Sequence, residues 1–121
     1  MENIRSFEDL KCWIKGRDIR LKITELIKVF PSHEKYELVS QMRRASRSVT
    51  HNIAEGYGRF HYKENSQFCR ISRGSLYELV DQLITAKDEN YISDEAYEKL
   101  KKNIMECIRI LNGYINYLSK K

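Results

Sequence analysis

Pro31 is the single proline in a chain of 121 residues, and it lies where it can end one helix and interrupt no other. Proline disfavours helical geometry in the residue before it. Only five glycines add further breaks. A chain so poor in breakers favours a few long helices over many short strands.

Apolar seams fill the intervals. Cys12, Gly16, Ile19, Ile23, Leu26 and Phe30 recur at alternating four and three, the spacing of a bundle seam. Leu10, Trp13 and Ile27 widen that face. A second seam runs through Val39, Met42, Ser46, Val49 and Ile53. A third runs through Phe68, Ser72, Ser75, Leu79, Leu83 and Ala86. The clearest is the fourth, through Tyr97, Leu100, Ile104, Ile108, Leu111, Ile115 and Leu118. These patterns predict helices over about 7–30, 33–57, 63–89 and 93–119 within one domain spanning 1–121. Ser32 and Ser93 are expected N-caps, with Glu34, Asp94 and Glu95 placed to favour the helix dipole. Gly56 and Gly58 are expected to supply a left-handed C-cap. Gly74 and Ser75 are small enough to admit a close neighbour, and Asn90, Tyr91 and Ile92 form a turn. Short joints force antiparallel neighbours. The expected fold class is all-α, an up-down-up-down four-helix bundle.

Bulk properties narrow the class. With 41% hydrophobic and 32% charged residues, the chain reads as globular rather than disordered. No apolar run approaches the roughly 20 residues of a membrane span. The opening MENIRSFEDLK lacks the apolar core of a secretory signal, so cytoplasmic residence is expected. Cys12, Cys69 and Cys107 are an odd, widely spaced set without CxxC spacing. They read as buried free thiols rather than a disulfide framework or zinc site.

The net charge of +5 is concentrated. Residues 41–75 hold seven Lys/Arg against two Asp/Glu, and six of those cations are arginine. The flanking thirds are nearly neutral. Arginine presents a planar fork suited to phosphate or carboxylate. At about 100° per residue, Arg44, Arg47, Ser48, His51 and Glu55 fall opposite the second seam. Arg44, Arg47 and His51 are thus spaced to follow a phosphate backbone. Arg43, Arg59, Lys63, Arg70 and Arg73 can extend the patch across two helices and their joint. Such contacts give affinity without base preference and weaken as salt rises. The competing reading is ion pairing within or between subunits, with Glu55, Glu64, Glu78 and Asp81 as partners.

Blocks of this sequence resemble a known family. FEDL with Trp13, FPSHEKYELVSQMRRA, NIAEGYGR and GSLYEL occur in the order found in the four-helix-bundle proteins encoded in intervening sequences of bacterial 23S ribosomal RNA genes, often labelled S23-like. The chain is also similar to their relative, the accessory variability determinant of diversity-generating retroelements. The resemblance spans nearly the whole chain. It implies a ring-like homopentamer and, for the retroelement branch, nucleic-acid binding with a reverse transcriptase partner. It carries family positions onto Arg43, Arg44, Asn52, Glu55, Gly56, Gly58, Arg59, Gly74, Ser75 and Glu78. Arg47 departs from the pattern, where a small or apolar residue is more usual. His51 stands where proline or a small residue is more usual.

Other motifs have plainer readings. Arg59-Phe60-His61-Tyr62-Lys63 interleaves cations with rings that can stack on unpaired bases. Because the family implies an oligomer, packing of Phe60 and Tyr62 across a subunit boundary is the favoured expectation. Asn52 and Glu55 are expected to shape the turn, with Glu55 holding Arg59 or a neighbouring chain's arginine. His51, Glu55 and His61 are the only metal-like set, and they lack the HExxH order. No metal, cofactor or catalytic residue is expected, and the chain reads as non-enzymatic. The leading expectation is an oligomeric RNA- or DNA-binding bundle. The alternative is a scaffold for a reverse-transcriptase-like or other protein partner, with the arginines in structural ion pairs.

Overall fold

The computed structural model describes residues 3–121, and every regular element among them is helical. Four long helices, α1 (Lys11–Leu26), α2 (Leu38–Gly58), α3 (Tyr62–Asp88) and α4 (Asp94–Ser119), form a four-helix bundle. Each helix packs on its neighbours in sequence, and α1 closes the square against α4.

Burial follows the seams. Val39, Met42, Ser46, Val49 and Ile53 are all buried on α2, as are all seven seam positions of α4. Ser93 caps α4 by accepting the Ala96 N–H at 3.0 Å. The three thiols are free and buried. Burial raises all three, Cys69 and Cys107 to about 12, so none supplies a thiolate near neutral pH.

The helix starts differ from the expected ones, for local reasons. The first predicted segment is interrupted near its beginning. Ser6 Oγ accepts the Glu8 N–H at 3.1 Å, and Asp9 Oδ2 accepts the Arg5 and Ser6 N–H groups at 2.9 and 3.3 Å. This box closes a 3-10 turn, Phe7–Asp9, and leaves Leu10 extended and buried. Phe7 clips the turn onto α1 by an edge contact with Trp13, centroids 5.3 Å apart. A second 3-10 turn, Ile27–Val29, follows α1, and Phe30 turns extended ahead of Pro31.

Ser32 caps no long helix. Ser32–Glu34 is a 3-10 turn, and α2 waits until Leu38. The reason is Glu34, whose carboxylate accepts the Leu38 N–H at 3.3 Å and the Tyr91 hydroxyl at 2.7 Å. It is committed to tying this joint to the α3–α4 joint.

The left-handed C-cap expected at Gly56 and Gly58 does not form. Both glycines are helical, and the positive φ falls on Phe60 at 57°. Gly56 has another use. A Cβ there would lie 2.7 Å from Asn65 Oδ1, 3.0 Å from the Asn65 carbonyl oxygen and 3.0 Å from Phe68 Cβ. Gly56 lets α2 and α3 meet. Gly74 does not do this, because a Cβ there would meet nothing within 4 Å. Its neighbour Ser75 does, donating to Ser48 Oγ at 2.8 Å across the same interface. Ser72 donates to the Val49 carbonyl at 2.8 Å. The α2–α3 interface is therefore close and polar as well as apolar.

Candidate nucleic-acid interface

The α2 seam faces the core, so the opposite side of the same helix must face solvent. Arg44, Arg47 and His51 are exposed there, with Arg43 half-buried beside them. They line a shallow depression of about 510 Å³ on the outside of α2. Among the described residues, none of Arg43, Arg44 and Arg47 pairs with a carboxylate. Ser48 lies at the edge of this stripe, half-buried and bonded to Ser75 and Asn52.

The remaining cations separate. Arg59 Nε lies 3.1 Å from Glu55, its Nη1 lies 3.6 Å from Glu64, and its guanidinium sits 5.1 Å from the Phe68 ring centre. It is a staple between α2 and α3. Arg73 donates to Asn112 Oδ1 on α4 at 2.8 Å, so it turns away from the α2 stripe. Lys63 and Arg70 are exposed on α3 and, among the described residues, have no carboxylate partner. Asn52 donates to the Ser48 carbonyl at 2.8 Å rather than reaching the Arg59 joint. Glu78 accepts from Gln82 at 3.0 Å. Intramolecular ion pairing thus accounts for Arg59 and leaves the stripe uncompensated.

One cation outside the expected set joins it. Gly16 of α1 packs against Val49 and Thr50. One turn later on the same flank, Arg20 Nη1 donates to Thr50 Oγ1 at 3.3 Å. Thr50 Oγ1 itself donates to the Arg47 carbonyl at 3.4 Å, so Arg20 reaches the α2 face within a turn of Arg47. Arg17 lies exposed on the same helix. The acidic residues of α1, Asp18 and Glu25, pair with Lys22 and Lys28. The signal was the i,i+4 spacing of Gly16 and Arg20, hidden because charge summed along a segment averages over its faces.

Among the described residues, no three His, Cys, Asp or Glu side chains gather as they would to hold a metal. No described helix is long and apolar enough to cross a membrane.

A family model for the 23S rRNA-intervening sequence protein matches residues 8–113. The chain belongs to that family. A protein of unknown function from the S23 ribosomal protein family of Bacteroides thetaiotaomicron VPI-5482 has the same fold, with a TM-score of 0.80 at 21% sequence identity. The match covers 87% of this chain and 95% of that one. Among curated proteins, none matches the sequence. The family assignment agrees with the sequence blocks, and the fold likeness agrees with the four seams.

Proposed function

We propose that this family member is a non-enzymatic nucleic-acid-binding bundle that contacts phosphate backbone through the outer face of α2. The observation that carries the reading is the uncompensated set Arg43, Arg44, Arg47 and His51, flanked by Arg20 of α1. A guanidinium without a carboxylate partner keeps its fork free for phosphate. Docking is electrostatic, and shape rather than base sequence selects the ligand. The protein acts as a homo-oligomer, a pentameric ring by family resemblance, so that weak contacts on each subunit add by raising local concentration. Assembly is supported by an apolar groove of about 630 Å³ between α1 and α4, lined by Leu21, Leu26, Val29 and Leu100.

Fluorescence anisotropy of labelled structured RNA, single-stranded DNA and duplex DNA, at several salt concentrations, tests the reading. Binding is expected to weaken steeply with salt. The double variant Arg44→Glu, Arg47→Glu is expected to abolish it while helix content and assembly stay intact. Unchanged binding by that variant sinks the assignment. If the wild type binds nothing at low salt, the face belongs to an acidic protein partner, such as a polymerase-like enzyme. A partner pull-down is then the next experiment.

A further inference from the structure

At one end of the bundle the α2–α3 joint, the last turns of α4 and the segment before α1 come together around a cavity of about 390 Å³. That volume lies within the usual range for small-molecule sites, about 300–1,000 Å³. Its walls are rich in aromatic residues: Tyr57, Phe60 and Tyr62 from the joint side, and Tyr114 and Tyr117 from α4. The rings of Tyr114 and Tyr117 lie 14° from parallel with centroids 6.2 Å apart. Building on the nucleic-acid reading above, we propose that this cavity is a stacking pocket for an unpaired base of the bound strand.

Phe60 is the strongest reason. Its φ of 57° is a left-handed conformation, and its side chain is 86% exposed. For a bulky residue such geometry is an outlier, and outliers of this kind cluster at ligand clamps. Among the described residues the other left-handed one, Asn90 at φ 64°, is of the type suited to that geometry. A ring held in an unfavourable backbone conformation, and not buried in return, is a ring kept available.

The surroundings suit a base joined to a phosphate. The Tyr114 hydroxyl accepts a hydrogen bond from buried Asn65 at 3.0 Å, which leaves its own O–H to donate to a base edge. The Lys121 ammonium sits 4.8 Å from the Tyr117 ring centre, and Lys63 is exposed in the first turn of α3. His61, the residue before α3, gives the helix no side-chain cap, so first-turn amides face the joint where a phosphate would lie. The arginine stripe leads here along α2. From Arg47 to Gly58 is about 16 Å at 1.5 Å per residue, so a strand held at Arg44 and Arg47 reaches the pocket by continuing about that far along the helix. Aromatic platforms take bases without regard to sequence, but a base paired inside a duplex cannot enter. The pocket therefore selects single strands, bulges and loops.

The test uses the full-length protein and three labelled RNA probes of one sequence: single strand, perfect duplex, and duplex with a one-nucleotide bulge. DNA versions run in parallel. The wild type is expected to bind the single strand and the bulge about tenfold tighter than the duplex, the effect of stacking one base. Phe60→Ala with Tyr62→Ala is expected to erase that ratio while duplex affinity and its salt dependence persist. Phe60→Asn removes the ring but suits the left-handed backbone, so it is expected to lower the ratio without loss of thermal stability. Equal wild-type affinity for paired and unpaired probes overturns the proposal and leaves phosphate docking standing. An unchanged ratio in the variants also overturns it. If those variants instead change the assembly state by sedimentation, the rings belong to a contact between copies. Absence of all nucleic-acid binding by the wild type removes the phosphate-docking reading and this one with it.

Discussion

The two ends of the bundle are built from similar residues and finished in opposite ways. Each gathers aromatic rings, a histidine and carboxylates around the helix joints. At the Tyr91 end the carboxylate is used inside the fold. Glu34 takes the Tyr91 hydroxyl and the first amide of α2, His33 Nε2 lies 3.2 Å from the same hydroxyl, and Phe30 packs on the Tyr91 ring at 5.3 Å. At the Phe60 end the carboxylates of Glu55 and Glu64 are spent on Arg59. The rings there bond to no carboxylate among the described residues and line a cavity instead. What separates a closed end from an open one is where the acids point. An acid that accepts from a tyrosine ties the aromatic cluster into the core, and an acid occupied by arginine leaves the cluster lining a cavity.

Just beneath the open end α2 and α3 converge at Gly56, and the largest stability effect is expected there. Gly56→Leu sets a side chain against the Asn65 backbone oxygen and Phe68 Cβ, neither of which is a flexible tip. The expected loss is about 3 kcal/mol, at the upper end of overpacking costs, read by chemical denaturation. A loss below about 1 kcal/mol, within the range of tolerated repacking, would break the claim that α2 and α3 meet tightly at Gly56. Gly74 is the control on the same pair of helices. It is helical with open space around its Cα, so Gly74→Ala is expected to stabilise by about 1 kcal/mol through helix propensity alone.

These two glycines also show what the sequence can disclose. Read along the chain, Gly56 and Gly74 are alike, and each invites a turn or a close contact. Only the distance from Gly56 to Asn65, a residue on another helix, separates them. The seams were legible because burial along a straight helix repeats in the chain itself, so Val49 and Ile104 announce their own faces. The stripe Arg44, Arg47 and His51 was legible for the same reason. Arg73 was not, because its partner Asn112 lies on α4. Arg20 was not, because a near-neutral segment total conceals a one-sided helix. The sequence puts the start of α2 near residue 33, after a Ser32 cap, whereas it lies at Leu38, because the deciding acceptor, Glu34, is set by a tyrosine 57 residues away. The aromatic pocket draws walls from separate segments, so no single window contains it.

The smallest effect, and the one that isolates the closed end, is its response to pH. The Tyr91 hydroxyl, then the Leu38 amide, hold the Glu34 carboxyl below its ordinary 4.5. The same hydrogen bond raises the Tyr91 hydroxyl from 10.0 to about 12. A depressed acid stabilises the fold fully above its unfolded value and loses that contribution as pH falls from 4.5 through the folded value. A raised phenol contributes below 10.0 and loses its contribution as pH rises toward 12. At the open end, burial raises Tyr114 to about 12 as well, so alkaline loss is shared by both ends and distinguishes nothing. The acid limb does distinguish them. Glu106, held down by Arg109 on α4, adds an acid loss of its own, so the wild-type melting curve alone is not enough. The comparison is between wild type and Glu34→Gln across pH 3–8. The variant is expected to melt lower near neutrality, with the gap narrowing as pH falls below about 4.5 because protonated Glu34 resembles the amide. A gap that stays constant to pH 3 would mean that Glu34 acts through packing rather than charge, and the contrast between the two ends would then rest on shape alone.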